Sequence, residues 1–371
     1  MQTLLDGISA RLIETPRLTV NILERIADDP ATPADRTVVF VHGNVASSLF
    51  WQEIMQDLPG DLRPIAVDLR GYGDTDHEPV DATRGVRDFS DDVHATLEAL
   101  NLPATHLVGW GMGAGVVMQY ALDHPVLSLT LESPVSPYGF GGTRRDGSRL
   151  TADDAGCGAG TANPDFVERL TAGDSSDEAS TSPRNVFRSS YVAPGYRTEH
   201  EDVWVASMLS TSTATGNYPG DSVHSDNWPG YGAGPIGALN TVAPRYFDVS
   251  GIVDLERKPP ILWIHGTADV VVSDASFSDV NQLGLLGIVP EWPGVDVAPP
   301  QEMVAQTRHV LGAYADAGGY VVELALEDVG HTPHLERPAV FRHELLAAIG
   351  YIGRPANPAP PTEAIVIASS D

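Results

Sequence analysis

Short apolar runs alternate with helical patterns through the first third of the chain, and this alternation constrains the fold more than any other feature. The run 37–41 (Thr-Val-Val-Phe-Val) is typical of a strand buried on both faces. The segment 88–100 repeats apolar residues at spacings of three and four, as a helix with one apolar face requires. Further strands are predicted at 17–23, 64–68, 106–109 and 126–131, and further helices at 48–58 and 114–122. The alternation predicts an α/β fold with a doubly wound, mostly parallel sheet.

The alternation stops near residue 136 and resumes near residue 243. The segment 136–242 is rich in Gly, Ser, Thr, Asp and Pro, and its best helical stretches are 166–170 and 203–209. A loop of this length without structure is unusual inside a compact domain, so we predict an inserted cap whose aromatic residues are candidates to line a cavity. Beyond it, strands are predicted at 260–265 and 320–326, and helices at 301–314 and 338–349. The predicted organisation is a core at 1–135 and 243–353, a cap at 136–242 and a Pro-rich, extended tail at 354–371.

A turn of alternating glycines, 107–115 (Leu-Val-Gly-Trp-Gly-Met-Gly-Ala-Gly), lies between a predicted strand and a predicted helix. A phosphate-binding loop is the minor interpretation, because Gly-x-Gly-x-x-Gly is met only if Ala114 replaces the last glycine and no suitable acidic residue follows. The turn resembles the nucleophile elbow of α/β-hydrolases, Gly-x-Ser-x-Gly, which carries the catalytic serine at the head of a helix. Gly109 and Gly113 occupy the two glycine positions, and Gly111 occupies the position of the serine.

Two further loops carry the same resemblance. Residues 40–45 (Phe-Val-His-Gly-Asn-Val) look like the family's His-Gly turn. The resemblance implies that the backbone N–H groups of Asn44 and Met112 form the oxyanion hole, aimed at charge that develops on a carbonyl oxygen. His42 is expected to support this turn. Residues 68–74 (Asp-Leu-Arg-Gly-Tyr-Gly-Asp) resemble a structural loop of the family that buttresses the site.

The acid and histidine loops complete the resemblance. Residues 264–269 end in Asp269, and residues 328–334 contain His331; each follows a predicted strand. The order of position 111, Asp269 and His331 is the order of the α/β-hydrolase triad, and the resemblance implies that the parallel sheet has the family's eight strands. The resemblance implies that His331 is the general base and that Asp269 holds its tautomer. Glu132, just past a strand end, is a rival acid, and His334 is interpreted as a packing or rim residue.

Glycine at position 111 removes the attacking atom, and two explanations remain open. In the first, which we favour, serine at this position has been replaced to inactivate a carboxylic ester hydrolase or lactonase. In the second, the chain is a natural pseudo-hydrolase that binds a small apolar ligand or transfers protons through the His331–Asp269 pair. A haloalkane dehalogenase or epoxide hydrolase would need aspartate at position 111, and dehalogenases usually carry Trp where this chain has Met112.

Composition excludes other classes of function. Lys and Arg number 22 against 50 Asp and Glu, which gives a net charge of −28, and such a surface repels nucleic acid and anionic membranes. Cys157 is the only cysteine, so an intramolecular disulfide is excluded, and it is interpreted as a passive loop residue. No signal peptide, membrane span, zinc-ligand spacing or cofactor motif is recognised. We therefore expect a cytoplasmic enzyme without metal or cofactor that acts on a moderately large apolar ester or lactone; a homo-oligomer is left open.

Overall fold

The computed structural model describes residues 3–25, 36–102, 104–157 and 162–353, together with the backbone of 364–367. The strands are β1 (Ile8–Glu14), β2 (Thr19–Arg25), β3 (Thr37–Val41), β4 (Arg63–Val67), β5 (His106–Trp110), β6 (Ser128–Glu132), β7 (Ser222–His224), β8 (Tyr231–Ala233), β9 (Ile261–Gly266), β10 (Val321–Leu326) and β11 (Ala364–Ile367). The helices are α1 (Gln52–Asp57), α2 (Arg87–Ala99), α3 (Met112–Asp123), α4 (Pro164–Ala172), α5 (Pro183–Val186), α6 (Glu201–Leu209), α7 (Val280–Leu285), α8 (Met303–Asp316), α9 (Pro333–Glu336) and α10 (Pro338–Ala348).

Nine strands form one sheet in the order β1-β2-β4-β3-β5-β6-β9-β10-β11. The strands from β4 to β10 in this order pair in parallel, while β1, β2 and β11 pair antiparallel at the two edges. The predicted fold class, a mostly parallel α/β sheet with helices on both faces, is confirmed. The ninth strand, β11, comes from the Pro-rich tail and pairs with β10; the rest of 354–371 lies outside the described residues.

The two faces of the sheet are covered by separate hydrophobic clusters. In β3, Val39 and Val41 belong to one cluster, while Val38 and Phe40 belong to the other. All four side chains are fully buried, which explains why this strand is continuously apolar. Helices α2, α3 and α8 contribute to the first cluster, and α1, α6 and α10 contribute to the second.

The segment 136–242 contains several short elements. The helical stretches predicted at 166–170 and 203–209 lie within α4 and α6. Helix α5 continues directly into a π-helical turn, Phe187–Tyr191, and β7 and β8 form a small separate hairpin. Trp204 of α6 and Phe187 are fully buried and pack on the same face as Phe50. This segment therefore covers the sheet on the side where β3 and β5 end.

Candidate active site

Gly111 forms the turn between β5 and α3 with a φ of 56° and a ψ of −116°. Side chains disfavour this region of backbone space, and glycine adopts it without strain. The N–H of Gly111 donates to the carbonyl of Glu132 (2.9 Å), and its carbonyl accepts from the N–H of Val135 (3.1 Å). The end of β6 thus holds the turn so that position 111 lies at the head of α3.

Close backbone packing accounts for the two flanking glycines. A Cβ atom at Gly109 would lie 2.4 Å from the carbonyl oxygen of Gly113. A Cβ atom at Gly113 would lie 2.4 Å from the carbonyl oxygen of His42 and 2.5 Å from that of Val41. Contacts this short do not occur with real Cβ atoms, so only glycine allows α3 to approach β5 and β3 so closely.

Asp269 and His331 form a buried hydrogen-bonded pair beside this turn. Nδ1 of His331 donates to Oδ2 of Asp269 at 2.8 Å, while Oδ1 of Asp269 accepts from the N–H groups of Val271 (2.7 Å) and Val272 (3.0 Å). Because a carboxylate only accepts, the proton on Nδ1 leaves Nε2 free to act as a base. His331 is 6% exposed and Asp269 is 5% exposed.

Nε2 of His331 points at position 111. A Cβ atom at Gly111 would lie 3.1 Å from Nε2 of His331 and 3.6 Å from its Cε1. Trp110, which precedes Gly111, donates from its indole Nε1 to the carbonyl of His331 (2.8 Å). The structure therefore brings together the three predicted triad positions, although they are far apart in the sequence.

The predicted oxyanion loop lies on the other side of position 111. The Cα atom of Gly43 is 3.8 Å from the Cβ position of Gly111, and Asn44 is the next residue. Across the described ranges, no hydrogen-bond acceptor is found for the N–H of Asn44 or of Met112. Met112 is the first residue of α3, where the helix dipole favours negative charge. Both donors are thus available to a carbonyl oxygen.

Two tyrosines hold this loop. The hydroxyl of Tyr72 donates to Oδ1 of Asn44 (2.7 Å). The hydroxyl of Tyr191 donates to the carbonyl of Asn44 (2.9 Å), with the carbonyl of Val45 at 3.1 Å. Burial, together with the nearby hydroxyl of Tyr218, raises the pKa of both Tyr72 and Tyr191. Both side chains therefore remain neutral hydrogen-bond donors.

Tyr191 also joins the segment 136–242 to the histidine loop, which sequence reasoning did not foresee. Its ring lies 6.2 Å from the ring of His331 and 5.6 Å from that of Trp110, edge-on to both. Its carbonyl accepts from the hydroxyl of Thr332 (3.0 Å). It ends a π-helical turn, a feature often found at functional sites.

Glu336 provides a second connection between the histidine loop and the same segment. One carboxylate oxygen accepts from the N–H of Gly330 (2.8 Å) and the other from the N–H of Ala193 (2.9 Å). Burial raises the pKa of Glu336, although these N–H donors oppose the rise. The carboxyl group therefore fastens the residue before His331 to the segment that covers the site.

The remaining predicted residues take supporting places. Glu132 binds His334, so Asp269 is the carboxylate that contacts His331. His334 is fully buried and does not lie at the rim of the site. Burial lowers the pKa of His42 despite the opposing charge of Asp68, and its neutral ring donates to the carbonyl of Gly43 and accepts from the N–H of Leu69.

The Asp68 loop is structural, as the resemblance implied. Its carboxylate accepts hydrogen bonds from the backbone of Ser48 and Asp74 and from the amide of Asn21. Within the described ranges, no three His, Cys, Asp or Glu side chains are grouped to hold a metal ion. In the same part of the chain, no helix has both the length and the apolar character that crossing a membrane requires.

Comparison with curated proteins finds partial matches. The chain is 34% identical over 109 residues to BODYGUARD 2 of Arabidopsis thaliana, named a probable lysophospholipase, covering 27% of this chain and 22% of that protein. It is 35% identical over 120 residues to a haloalkane dehalogenase of Agrobacterium fabrum, covering 32% of this chain and 36% of that protein. The matched part thus spans well under half the length of these relatives.

Solved structures resemble the whole fold. An esterase of Rhodococcus sp. ECU1013, RhEst1, superposes with a TM-score of 0.54 at 19% identity, covering 93% of this chain and 100% of that one. The esterase EaEST of Exiguobacterium antarcticum superposes with a TM-score of 0.53 at 17% identity, covering 92% and 100%. At such low identity the likeness concerns the fold alone.

The family model for the alpha/beta hydrolase fold matches residues 36–291, which is more than half of the chain. This range includes the oxyanion loop, the elbow and Asp269, and the order of the strands agrees with it. The chain belongs to the alpha/beta hydrolase fold family, with Gly111 at the position that the sequence predicts for the nucleophile.

Proposed function

We propose that this site hydrolyses a carboxylic ester or lactone and that position 111 is where its nucleophile belongs. The observation that carries the proposal is the alignment of Asp269, His331 and position 111, with a 2.8 Å hydrogen bond at one end and a 3.1 Å approach at the other. His331 is the general base, and Asp269 holds its tautomer and stabilises the imidazolium. The N–H groups of Asn44 and Met112 stabilise the oxyanion.

The proposed chemistry is acyl transfer through a hydroxyl at position 111. Nε2 of His331 takes the hydroxyl proton while the oxygen attacks the carbonyl carbon, and the carbonyl oxygen becomes an oxyanion. The imidazolium then gives its proton to the departing alkoxide, which leaves an acyl-enzyme. Water, deprotonated by the same Nε2, releases the acid and restores the hydroxyl. A lactone follows the same course, except that the alcohol and acid remain in one molecule.

With glycine at position 111, the chain lacks the hydroxyl oxygen that starts this reaction. In serine hydrolases, loss of the nucleophile lowers turnover on the order of 10⁶, and roughly 10³–10⁴ over the uncatalysed rate survives through binding and the oxyanion hole. Under this proposal Gly111 is a substituted serine, and the base, its acid and the oxyanion donors stay in place around it.

A second candidate function is that of a natural pseudo-hydrolase, and one observation favours it. A Cβ at position 111 would lie only 3.1 Å from Nε2 of His331, a tight contact, so any side chain there must push the imidazole back by a few tenths of an ångström. Under this second function, glycine is the native residue at position 111. The pair of His331 and Asp269 then transfers a proton on a bound ligand, or the site binds a ligand without catalysing a reaction. A dehalogenase would instead need a carboxylate at position 111.

The surroundings of the site favour an apolar substrate. Trp110, Phe50, Phe187 and Tyr191 form adjoining ring contacts beside His331. These rings are buried, so they make the wall behind the imidazole apolar, while the two N–H donors select for a carbonyl. A moderately large, apolar ester or lactone meets both requirements.

The test compares Gly111→Ser, Gly111→Ala and the unchanged chain on a panel of p-nitrophenyl esters and lactones of several sizes. Alanine adds the same Cβ and the same backbone strain as serine without the hydroxyl, so it is the matched control. Activity in Gly111→Ser alone supports the proposal. If Gly111→Ser hydrolyses none of these compounds but still binds them, the pseudo-hydrolase function is supported instead.

A further inference from the structure

A second carboxylate–imidazole pair lies behind the catalytic one. Glu132 ends β6 and His334 lies in α9. Nδ1 of His334 is 2.8 Å and 2.9 Å from the two carboxylate oxygens of Glu132. The backbone N–H of His334 also donates to Glu132, at 2.7 Å. Both side chains are fully buried, and the proposed reaction uses neither of them.

The hydrogen bonds hold the His334 ring at both of its nitrogens. Nε2 of His334 faces the carbonyl oxygen of Phe50 at 3.2 Å, and a carbonyl oxygen only accepts. Nε2 therefore donates to this carbonyl, and Nδ1 shares a hydrogen bond with the carboxyl group of Glu132. The structure thus holds an imidazole and a carboxyl group together away from water.

Stability alone is a poor reason to keep such a pair. The free energy that is needed to remove two charged groups from water often exceeds the free energy that their attraction returns. Replacing such a pair by apolar residues of similar volume is therefore frequently neutral or stabilising. A third buried imidazole–carboxylate contact, His265 with Glu323 at 3.1 Å, differs because Arg308 also binds that carboxylate from a half-exposed position. Among the residues that the structure describes, no arginine or lysine binds the carboxylate of Glu132 in this way.

Its connections link the elbow to the histidine loop. The carbonyl of Glu132 accepts from the N–H of Gly111 (2.9 Å), while its carboxylate binds the backbone and ring of His334 (2.7 and 2.8 Å). One residue therefore fastens position 111 and the loop that carries His331. The His334 ring also lies 5.6 Å from that of Trp110, whose indole binds the carbonyl of His331.

We propose that Glu132 and His334 are positioning residues that hold the loop of His331 so that Nε2 stays aimed at position 111. Neither residue touches the reacting atoms, so each affects the reaction only through the position of the His331 imidazole. A displacement of a catalytic group by about 1 Å lowers the rate about a hundredfold. The kinetic part of this inference rests on the proposed hydrolysis at position 111, while the position of the ring can be measured without any reaction.

The first measurement is nuclear magnetic resonance of the chain with ¹⁵N-labelled histidine. The signals of His331 are followed against pH in the unchanged protein, in Glu132→Gln and in the matched control Glu323→Gln. We expect Glu132→Gln to shift the titration of His331 and to weaken the signal of its proton shared with Asp269. Glu323→Gln lowers the melting temperature but leaves both signals unchanged.

An apolar replacement separates positioning from stability. The double variant Glu132→Met, His334→Leu removes both polar side chains together, so neither is left buried without its partner. In the Gly111→Ser background we expect this double variant to lose about a hundredfold in kcat with KM nearly unchanged. Glu132→Asp, which keeps the charge, restores part of the loss that Glu132→Gln causes.

Either of two results would overturn the inference. One is an unaltered His331 titration in both Glu132→Gln and the double variant. The other is an unaltered kcat in the double variant when Gly111→Ser itself is active. If Gly111→Ser hydrolyses nothing, the proposed function fails, yet the resonance measurement still decides whether the pair positions the imidazole.

Discussion

Nε2 of His331 lies 3.1 Å from the point that a Cβ atom at Gly111 would occupy. The proposed general base is thus held beside a residue that has no side chain. Asp269, Trp110 and the loop contacts hold the imidazole there without a hydroxyl partner. A hydroxyl placed at position 111 would meet an oriented base and two free backbone donors.

The proposed role of Asp269 as the acid of the site is tested by replacing this residue. In the Gly111→Ser background, Asp269→Asn removes the acceptor that holds the His331 tautomer and lowers kcat by about 10⁴. The control is Asp328→Asn, which changes an exposed carboxylate at the start of the loop that contains His331. We expect this variant to leave kcat unchanged. Steady-state hydrolysis of the best ester measures both. Equal effects of the two variants would contradict the assignment.

The hydroxyl of Tyr191 holds the oxyanion loop. Tyr191→Phe removes its hydrogen bonds to the carbonyls of Asn44 and Val45, which lets the loop move. The expected loss is about tenfold in kcat, the worth of one hydrogen bond, again measured with Gly111→Ser. Tyr314→Phe, which removes a buried hydrogen bond to the carbonyl of Pro259 instead, is the control, and a similar loss there would refute a specific role.

Two glycine-to-alanine changes should alter stability in opposite directions. Gly113→Ala drives a Cβ to 2.4 Å from a backbone oxygen, and we expect unfolding free energy to fall by about 3 kcal/mol. Gly312→Ala lies inside α8 with open space around the new Cβ, so it gains roughly 0.5–1 kcal/mol from helix propensity. Denaturant unfolding compares them, and a neutral Gly113→Ala would show that α3 is less closely packed than described.

The single cysteine should be unreactive in the folded protein. Burial, aided by the charge of Asp154, raises the pKa of the Cys157 thiol, and its Sγ donates to the carbonyl of Asp154 (2.8 Å). A disulfide reagent at pH 8 should leave it untouched until guanidinium is added. Ser278→Cys supplies an exposed reference thiol. Labelling of Cys157 at the rate of that reference would show that the loop opens readily.

The features that sequence could predict are local ones. Positions 109 and 113 require glycine because a Cβ atom there would clash with nearby backbone atoms. Strands β3 and β9 are continuously apolar because both faces of the sheet are covered. The predicted triad positions lie in loops that each follow a strand, and the structure brings these loops together. The expectation that Asp269 rather than Glu132 contacts His331 agrees with the structure.

The features that sequence could not predict join distant residues. Glu132 and His334 are 202 positions apart, and nothing near either residue indicates the other. Tyr191 was one of several aromatic residues in 136–242, and only the fold places it on the oxyanion loop. Strand β1 was missed because it is an edge strand with Leu12 well exposed, so its sequence lacks the apolar run of a central strand.

The central claim is that position 111 is the nucleophile position of an ester hydrolase site. Its most direct test is mass spectrometry of Gly111→Ser after treatment with a fluorophosphonate, with Gly111→Ala and the double variant Gly111→Ser, His331→Ala treated in parallel. We expect one covalent adduct, located at position 111, in Gly111→Ser and none in the other two. An unlabelled Gly111→Ser that is folded, or labelling that does not depend on His331, would contradict the account.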